Sequence, residues 1–297
     1  MVNQFTAYSG KVTTIMPFAQ IRGIRMRYEI VGESGAWVAL ITGGRRGYDE
    51  FVPLARRLAA QGYRVVLHDR RNTGATDIVI EGDVPEETLW LDDLHELLET
   101  LGATPAFIGG SSAGARTAMR FYLRYPNRVR GLLLMRVTGG AFAAGRLPDM
   151  YYGQFIKAAR EGGMAAVCAH PQYQERIAAN PPMRERLMSM QAEDYIAVMS
   201  RWQEMFIAGT RLPVMGVTDE ELGSIRVPTV VIPGNDLTHA SANGALAAAR
   251  IPGATLHSLP VTDQDIPLIP YPEWEIYEDE IAQVFVRHMR AIEGVRA

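Results

Sequence analysis

A serine in a glycine-flanked turn is the residue of this chain best placed to do chemistry. The segment Gly110–Gly114 reads Gly-Ser-Ser-Ala-Gly, which matches the pattern G-x-S-x-G. It follows the apolar residues Phe107 and Ile108 and precedes a helical pattern, the strand-to-helix setting in which this pattern exposes a serine hydroxyl. Glycine suits the turn because side chains at those positions would collide. Ser112 is therefore the candidate nucleophile for attack on a carbonyl carbon; small residues that permit close strand–helix packing are the alternative.

A second glycine-rich turn could supply hydrogen bonds to the attacked carbonyl. Thr42–Gly47 follows the apolar run Val38–Ile41, at the sheet edge where the serine turn is also expected. Acyl transfer relies on backbone donors placed where negative charge develops, and the positive end of a helix that begins at the serine turn adds to them. We predict an oxyanion hole formed by the N–H groups of Gly44 and Ala113; ordinary turn glycines are the alternative.

A serine hydroxyl needs a neighbouring base, and the chain contains six histidines. His239 and Asp236 follow the predicted strand 227–232, whose carboxyl end borders the crevice where α/β folds bind ligands. We predict that His239 takes the proton of Ser112 and that Asp236 or Asp263 holds the imidazole in its productive tautomer. A loop histidine that contacts only solvent or substrate is the alternative. The other five are predicted to be structural (His68), on a solvated helix face (His95), in a helical insertion (His170), in the core (His257) and at the surface (His288).

Three arginines are predicted to lie near this site: Arg45 and Arg46 in the glycine-rich turn, and Arg136 at the end of a predicted strand. A guanidinium pairs bidentately with a carboxylate, so a carboxylate-bearing ester, lactone or diketone would suit them. The alternative is that they form ion pairs with acids of the protein such as Asp49 and Glu50. Two further residues are predicted to contact the substrate: Gly43 and Ser111.

The elements that must position these residues alternate between strands and helices. Strands are predicted at 12–16, 24–30, 37–41, 64–68, 105–109, 131–135, 227–232 and 255–259. Helices are predicted from Phe51 to Ala59 and at 89–101, 113–125, 242–250 and 277–292. Continuous apolar strands interleaved with helices indicate a mostly parallel sheet covered on both faces, so the predicted fold class is α/β.

Between these two runs of alternating elements the strand signal is lost. From about Gly139 to Leu222 the apolar residues recur at helical spacing. We therefore predict a core made of residues 1–138 and 223–297, with a helical cap at 139–222 inserted into it.

Composition limits the classes of partner. The 297 residues include 30 Lys plus Arg and 33 Asp plus Glu, a net charge of −3 without any block of like charges, which is not the electrostatic pattern of a nucleic-acid binder. No apolar run is long enough for a membrane helix. We expect a small-molecule substrate, and neither nucleic acid nor membrane as a partner.

Other features predict the compartment and the absence of cofactors. Met1–Thr6 lacks the basic and apolar regions of a signal peptide, and the single Cys168 fits a reducing compartment, so we expect a cytoplasmic protein. No cluster of His, Cys or carboxylate residues has the spacing of metal ligands. We expect neither a metal nor a cofactor.

The chain resembles an α/β-hydrolase of the lipase, lactonase and meta-cleavage hydrolase type over nearly all of its length. Residues 62–77 are similar to the strand and loop that carry D-x-R-G-x-G-x-S-D in that family, with Asn72 and Thr76 in place of the usual Gly and Ser. Residues 227–236 resemble the segment that delivers the acid of the triad, and 251–254 the approach to the strand that delivers the histidine. The resemblance implies the α/β-hydrolase fold with an inserted cap, a serine nucleophile, and a homodimer as one expected state.

The chain departs from the family after the last predicted strand. Family members place a Gly-His pair there, whereas residues 258–265 contain no histidine and Asp263 falls near the expected position. Two functions stay open. One is a serine hydrolase, esterase-like or lactonase-like, that acts through Ser112 with a relocated base on a small acyl compound. The other is a protein of the same fold that has lost the triad and binds a small ligand or catalyses elimination, cyclisation or decarboxylation.

Overall fold

A central sheet of eight strands organises the computed structural model, which describes residues 17–294. The strands are β1 (Phe18–Ile21), β2 (Ile24–Val31), β3 (Trp37–Ile41), β4 (Arg64–His68), β5 (Ala106–Ser111), β6 (Val129–Met135), β7 (Thr229–Ile232) and β8 (Thr255–Leu256). Their order in the sheet is β1-β2-β4-β3-β5-β6-β7-β8. β1 and β2 pair antiparallel, as does β2 with β4, and every pair from β4 to β8 is parallel. The predicted strand 12–16 lies outside the described residues.

Helices cover both faces of this sheet. They are α1 (Val52–Ala59), α2 (Glu86–Thr100), α3 (Ala113–Arg124), α4 (Gly140–Pro148), α5 (Gln154–Ala169), α6 (Pro171–Ala179), α7 (Met183–Met188), α8 (Ala192–Thr210), α9 (Asp219–Ser224), α10 (Ser241–Arg250) and α11 (Glu278–Glu293). Short 3₁₀ turns occupy Tyr48–Phe51, Pro126–Arg128 and Tyr271–Tyr277, and a π-helical turn occupies Asp149–Gly153. The predicted α/β class with a mostly parallel sheet is confirmed.

The period-two alternation of a strand explains why both faces are apolar. In β3, Val38 and Leu40 are buried in the core beneath α1 and α11, whereas Ala39 and Ile41 are buried beneath α2, α3 and α10. The sheet is therefore covered on both sides, as its continuous apolar strands predict.

The chain between β6 and β7 forms the helices α4 to α9. Many of their apolar side chains share a separate cluster that includes Tyr152, Phe155 and Trp202. Ile78 and Ile80, from the loop after β4, belong to the same cluster. The helical character of this segment agrees with its apolar spacing; α9 runs past position 222, and the division into core and cap stays a prediction.

The last strand is shorter than the sequence pattern indicates. β8 ends at Leu256, although the predicted strand continues to Leu259. Pro260, which lacks a backbone N–H, comes directly after Leu259, and Thr262 to Leu268 are exposed. The prediction that His257 is a core residue is wrong, because its side chain is 32 % exposed and its Nε2 lies 2.8 Å from Glu280 Oε1.

No helix within residues 17–294 combines the length and the apolar character needed to cross a membrane.

The close packing of α3 on β3 gives a test of this fold. A Cβ added at Gly114 would overlap the carbonyl group of Ile41, whereas one added at Gly223 in α9 would meet nothing within 4 Å. We expect Gly114→Ala to lower the free energy of unfolding by about 1–3 kcal/mol, the usual cost of overpacking, and Gly223→Ala to leave it unchanged or raise it slightly. Denaturant titration of both variants measures the difference; equal stabilities would contradict the packing described here.

Candidate active site

Ser112 lies at the point where β5 passes into α3. Its backbone has φ 58° and ψ −118°, a strained conformation for a residue with a side chain, and its N–H donates to the Met135 carbonyl at 3.1 Å. Gly110 and Gly114 allow the turn, because a Cβ at either position would overlap neighbouring backbone. The strain presents the Ser112 hydroxyl at the carboxyl edge of the parallel strands.

His239 contacts the serine, and Asp236 contacts the histidine. The Nε2 atom of His239 lies 2.7 Å from Ser112 Oγ. Its Nδ1 atom lies 2.9 Å from Asp236 Oδ1 and 3.1 Å from Oδ2. A neutral imidazole that donates from Nδ1 and accepts at Nε2 satisfies both contacts, and this tautomer can take a proton from the serine.

The loop after β7 explains how an acid and a base three residues apart can form this chain of contacts. Asp236 Oδ1 accepts hydrogen bonds from the N–H groups of Thr238 and His239, both at 2.9 Å, so its side chain closes a tight turn on itself. Gly234 leaves room for the imidazole, because a Cβ there would lie 2.5 Å from His239 Cβ. The turn therefore aims His239 at Ser112 without help from β8.

Arg136 supports the carboxylate of Asp236 from the opposite side. Its Nη2 atom donates to Asp236 Oδ2 at 2.8 Å and to the Ile269 carbonyl, and the Ile269 N–H donates to the same Oδ2 at 3.0 Å. Arg136 is 3 % exposed, has φ 50°, and stacks over Trp274. We predicted from the sequence that Arg136 contacts the substrate; the structure instead places it behind the acid.

Burial and charge set the protonation states of the pair. Burial alone would raise the pKa of Asp236, but the hydrogen bond from His239, the Ile269 N–H and the charge of Arg136 outweigh it and lower that pKa well below its usual range. Burial is the largest cause that lowers the pKa of His239, and the positive charges of Arg136 and Arg146 add to it against the opposing effect of Asp236. At neutral pH the carboxylate is ionised and the imidazole is neutral.

The glycine-rich loop approaches the serine as predicted. A Cβ at Gly43 would lie 3.2 Å from Ser112 Cβ, so the loop passes close beside Ser112. Arg70 Nη2 donates to the carbonyls of Gly43 and Gly44. Because the N–H and C=O of a trans peptide point in opposite directions, the Gly44 N–H is directed away from Arg70. Ala113 is the first residue of α3, so its N–H has no acceptor within the helix.

Two residues of this neighbourhood were not predicted. Thr138 Oγ1 lies 3.3 Å from Ser112 Oγ, and Arg70 holds the glycine-rich loop. Both come shortly after parallel strands, β6 and β4, and that position at the carboxyl edge of the sheet is the signal that could have identified them.

Other predicted residues have partners within the protein. Arg45 pairs bidentately with buried Glu86 at 2.8 and 2.6 Å, and Arg46 pairs with Glu50 at 2.6 Å. Asp263 accepts hydrogen bonds from the N–H and hydroxyl of Ser241 at 3.1 and 2.8 Å. The structure therefore places Asp236, and not Asp263, on the imidazole, and both arginines on acids. Ser111 is buried at the end of β5.

Within residues 17–294, no group of three or more His, Cys, Asp or Glu side chains converges in a way that could hold a metal ion.

A serine on a strand-to-helix turn, with oxyanion donors from the loop after an earlier strand, is the arrangement of an α/β-hydrolase. Residues 32–236 match the family described as serine aminopeptidase, S33, which is more than half of the chain. The chain therefore belongs to this family of α/β-hydrolases.

Curated relatives match over part of their length. An uncharacterized hydrolase, YraK, of Bacillus subtilis is 31 % identical over 114 residues, which cover 38 % of this chain and 41 % of the relative. A 2-hydroxy-6-oxononadienedioate/2-hydroxy-6-oxononatrienedioate hydrolase of Pseudomonas putida is 35 % identical over 132 residues, 42 % of this chain and 46 % of the relative. The matched part thus spans less than half of each of these relatives.

Solved structures resemble the chain over nearly its whole length. The enol-lactonase from Burkholderia xenovorans LB400 superposes with a TM-score of 0.60 at 20 % identity, over 94 % of this chain and all of that one. The meta-cleavage product hydrolase from Pseudomonas fluorescens IP01 gives 0.64 at 20 % identity, over 93 % and 97 %. At this identity the likeness establishes the fold.

The contact between Arg136 and Asp236 leads to a prediction. Replacing Arg136 with Met removes a buried cation, so we expect the pKa of His239 to rise and the free energy of unfolding to fall by about 3–5 kcal/mol, as for other broken buried ion pairs. NMR titration of the His239 ring and denaturant unfolding measure the two effects. Arg46→Met, which removes an exposed guanidinium, is the control and should change neither appreciably. A His239 pKa that stays the same in Arg136→Met would contradict the assigned role.

Proposed function

We propose that this protein is a serine hydrolase, esterase-like or lactonase-like, with Ser112 as the nucleophile, His239 as the base and Asp236 as the group that orients the base. The observation that carries the proposal is the 2.7 Å contact between His239 Nε2 and Ser112 Oγ. A base must lie within hydrogen-bond reach of the proton that it abstracts, and this one does.

The proposed reaction proceeds through an acyl-enzyme. His239 Nε2 takes the hydroxyl proton as Ser112 Oγ bonds to the carbonyl carbon, and the N–H groups of Gly44 and Ala113 stabilise the oxyanion. His239 then returns the proton to the leaving oxygen as the carbon–oxygen bond breaks. A water molecule that gives a proton to the same imidazole then attacks the acyl carbon, and His239 passes this proton to Ser112 Oγ as the acyl carbon–Oγ bond breaks, which releases the acid and restores the Ser112 hydroxyl.

We propose a small acyl compound that bears a carboxylate as the substrate. Names of similar proteins support this class: the relative from Pseudomonas putida is named for a dioate substrate, and structural neighbours are named as lactonase and esterase. The names belong to those proteins, and in this chain the cation that supports the proposal is Arg146, whose Nη1 lies 3.5 Å from the hydroxyl of Thr238 beside His239.

The non-hydrolytic or ligand-binding alternative rested on the missing histidine after the last strand. His239 lies against Ser112, so a candidate base is present at the serine. The missing histidine after the last strand therefore no longer favours the alternative. The hydrolase is therefore the function that the site supports better.

A fluorophosphonate probe tests for an activated serine without knowledge of the substrate. We expect rapid labelling at Ser112 in the native protein, no labelling in Ser112→Ala, and a large loss of labelling rate in His239→Ala, because the hydroxyl is a weak nucleophile without its base. Peptide mass spectrometry locates the label. Folded native protein that does not label although the probe reaches the site, or His239→Ala that labels at the native rate, would overturn the proposal.

A matched pair of acid variants tests which carboxylate orients the base. Asp236→Asn should lower the labelling rate by roughly 10⁴-fold, the loss in kcat seen when the orienting aspartate of a serine triad becomes an amide. Asp263→Asn, the same chemical change at a carboxylate bonded to Ser241, should label at nearly the native rate. Comparable losses in the two variants would contradict the assignment of Asp236.

The pH dependence follows from the lowered pKa of His239. The base must be neutral to accept the serine proton, so activity is present above that pKa and is lost as the pH falls through it. Because burial lowers the pKa of His239 below its usual 6.5, half of the maximal kcat/KM should persist to a pH below 6.5. A profile of kcat/KM for a p-nitrophenyl ester measures the midpoint; one at or above 6.5 would contradict the prediction.

A further inference from the structure

A hollow of about 610 Å³, wide open to solvent, lies along α4 and the π-helical turn that follows it. It is lined by Ala141, Phe142, Gly145, Arg146, Asp149 and Met150. Phe142 is 38 % exposed, so the hollow offers an apolar surface next to the guanidinium of Arg146. This combination can hold an acyl chain together with an anionic group on that chain.

Arg146 links this hollow to the reacting groups. Its Nη1 atom lies 3.5 Å from the hydroxyl of Thr238, the residue directly before His239. Its charge also acts on the imidazole, since Arg146 is one of the groups that lower the pKa of His239. An anion held by Arg146 would therefore lie beside the loop that carries His239, whose Nε2 contacts Ser112.

Arg146 differs from the three arginines that the sequence singled out. Arg45, Arg46 and Arg136 are each paired with a carboxylate at 2.8 Å or less. For Arg146, no carboxylate between residues 17 and 294 lies within 4 Å. Asp149 also lines the hollow, and a Cβ added at Gly153 would lie 2.6 Å from its Oδ1.

A second cation, Arg70, lies near the carboxyl edge of the parallel strands. Arg70 is 1 % exposed, its Nε and Nη1 atoms have no hydrogen-bond partner, and within the described range it forms no ion pair. Burial is the main cause that lowers its pKa to about 10, so it is still a cation at neutral pH. Its Nη2 donates to the carbonyls of Gly43 and Gly44, in the loop that passes beside Ser112. Arg70 thus adds positive charge close to the serine.

We propose that the hollow beside α4 is a subsite for the terminal carboxylate of an acyl chain and that Arg146 is the residue that binds it. The inference rests on the proposed hydrolase function and narrows its substrates to acyl compounds whose chain ends in a carboxylate. Arg146 donates two N–H groups to the carboxylate, Phe142 and Met150 contact the methylene groups, and the scissile carbonyl lies at Ser112.

Two esters with the same six-carbon acyl chain test the subsite: mono-p-nitrophenyl adipate, which ends in a carboxylate, and p-nitrophenyl hexanoate, which ends in a methyl group. In the native protein we expect kcat/KM for the adipate to exceed that for the hexanoate by roughly tenfold, and the ratio to shrink as salt is raised, as a partly exposed ion pair requires. With both esters assayed at a pH well above the pKa of His239, where loss of the Arg146 charge does not change the fraction of neutral imidazole, Arg146→Gln should bring the ratio of the adipate kcat/KM to the hexanoate kcat/KM to about one.

Arg160→Gln is the matched control, because it removes an exposed arginine of α5 that does not line the hollow. It should keep the native preference. Equal kcat/KM values for the two esters in the native protein, or a preference that survives Arg146→Gln, would overturn the subsite while the hydrolase stands.

Binding of the two esters to Ser112→Ala, measured by calorimetry without turnover, separates this proposal from the function. Tighter binding of the adipate that disappears in the Ser112→Ala, Arg146→Gln double variant supports the subsite even if the native protein does not label with the fluorophosphonate probe, a result that would overturn the hydrolase alone. Absence of both labelling and binding preference would overturn both.

Discussion

The carboxylate of Asp236 is the group on which the site depends. A charge buried in a protein must be met by donors or it destabilises the fold, and this one accepts hydrogen bonds from two backbone groups of its own turn, from Ile269, from Arg136 and from the imidazole of His239. The same contacts fix the loop after β7 and the direction of the base. Asp236 therefore both closes the loop and, in the proposed triad, orients the base.

Because Asp236 fixes the loop that also carries His239, the proposed triad does not need a histidine after the last strand. In the family that it resembles, two strands deliver the acid and the base, so both must be long enough to reach the site. Here Asp236 and His239, the acid and base of the proposed triad, both lie in one four-residue turn, and β8 consists only of Thr255 and Leu256. The exposed segment from Thr262 to Leu268 is consistent with a strand end that no longer carries a reacting group.

Periodicity made most of the architecture predictable. Strands such as β3 and β4 begin and end where their apolar runs do, because those runs are buried on both faces, and α3 begins directly after the serine. The rule that parallel strands expose their carboxyl ends at one edge was enough to bring Ser112, His239 and Asp236 together. It could not choose between Asp236 and Asp263, since both come after strands of that edge and the choice depends on side-chain contacts.

The arginines show why residue type and position along the chain are insufficient for a binding site. Arg45, Arg136 and Arg146 all belong to segments near the serine, yet the first two are neutralised by Glu86 and Asp236. Those acids come from distant parts of the chain, so local sequence gives no sign of the pairing. A buried arginine with a carboxylate stabilises an element of the protein, as Arg136 does for the acid. An arginine without one, on an open hollow, is available to a substrate, and the distribution of acids therefore determines which arginine can take that role.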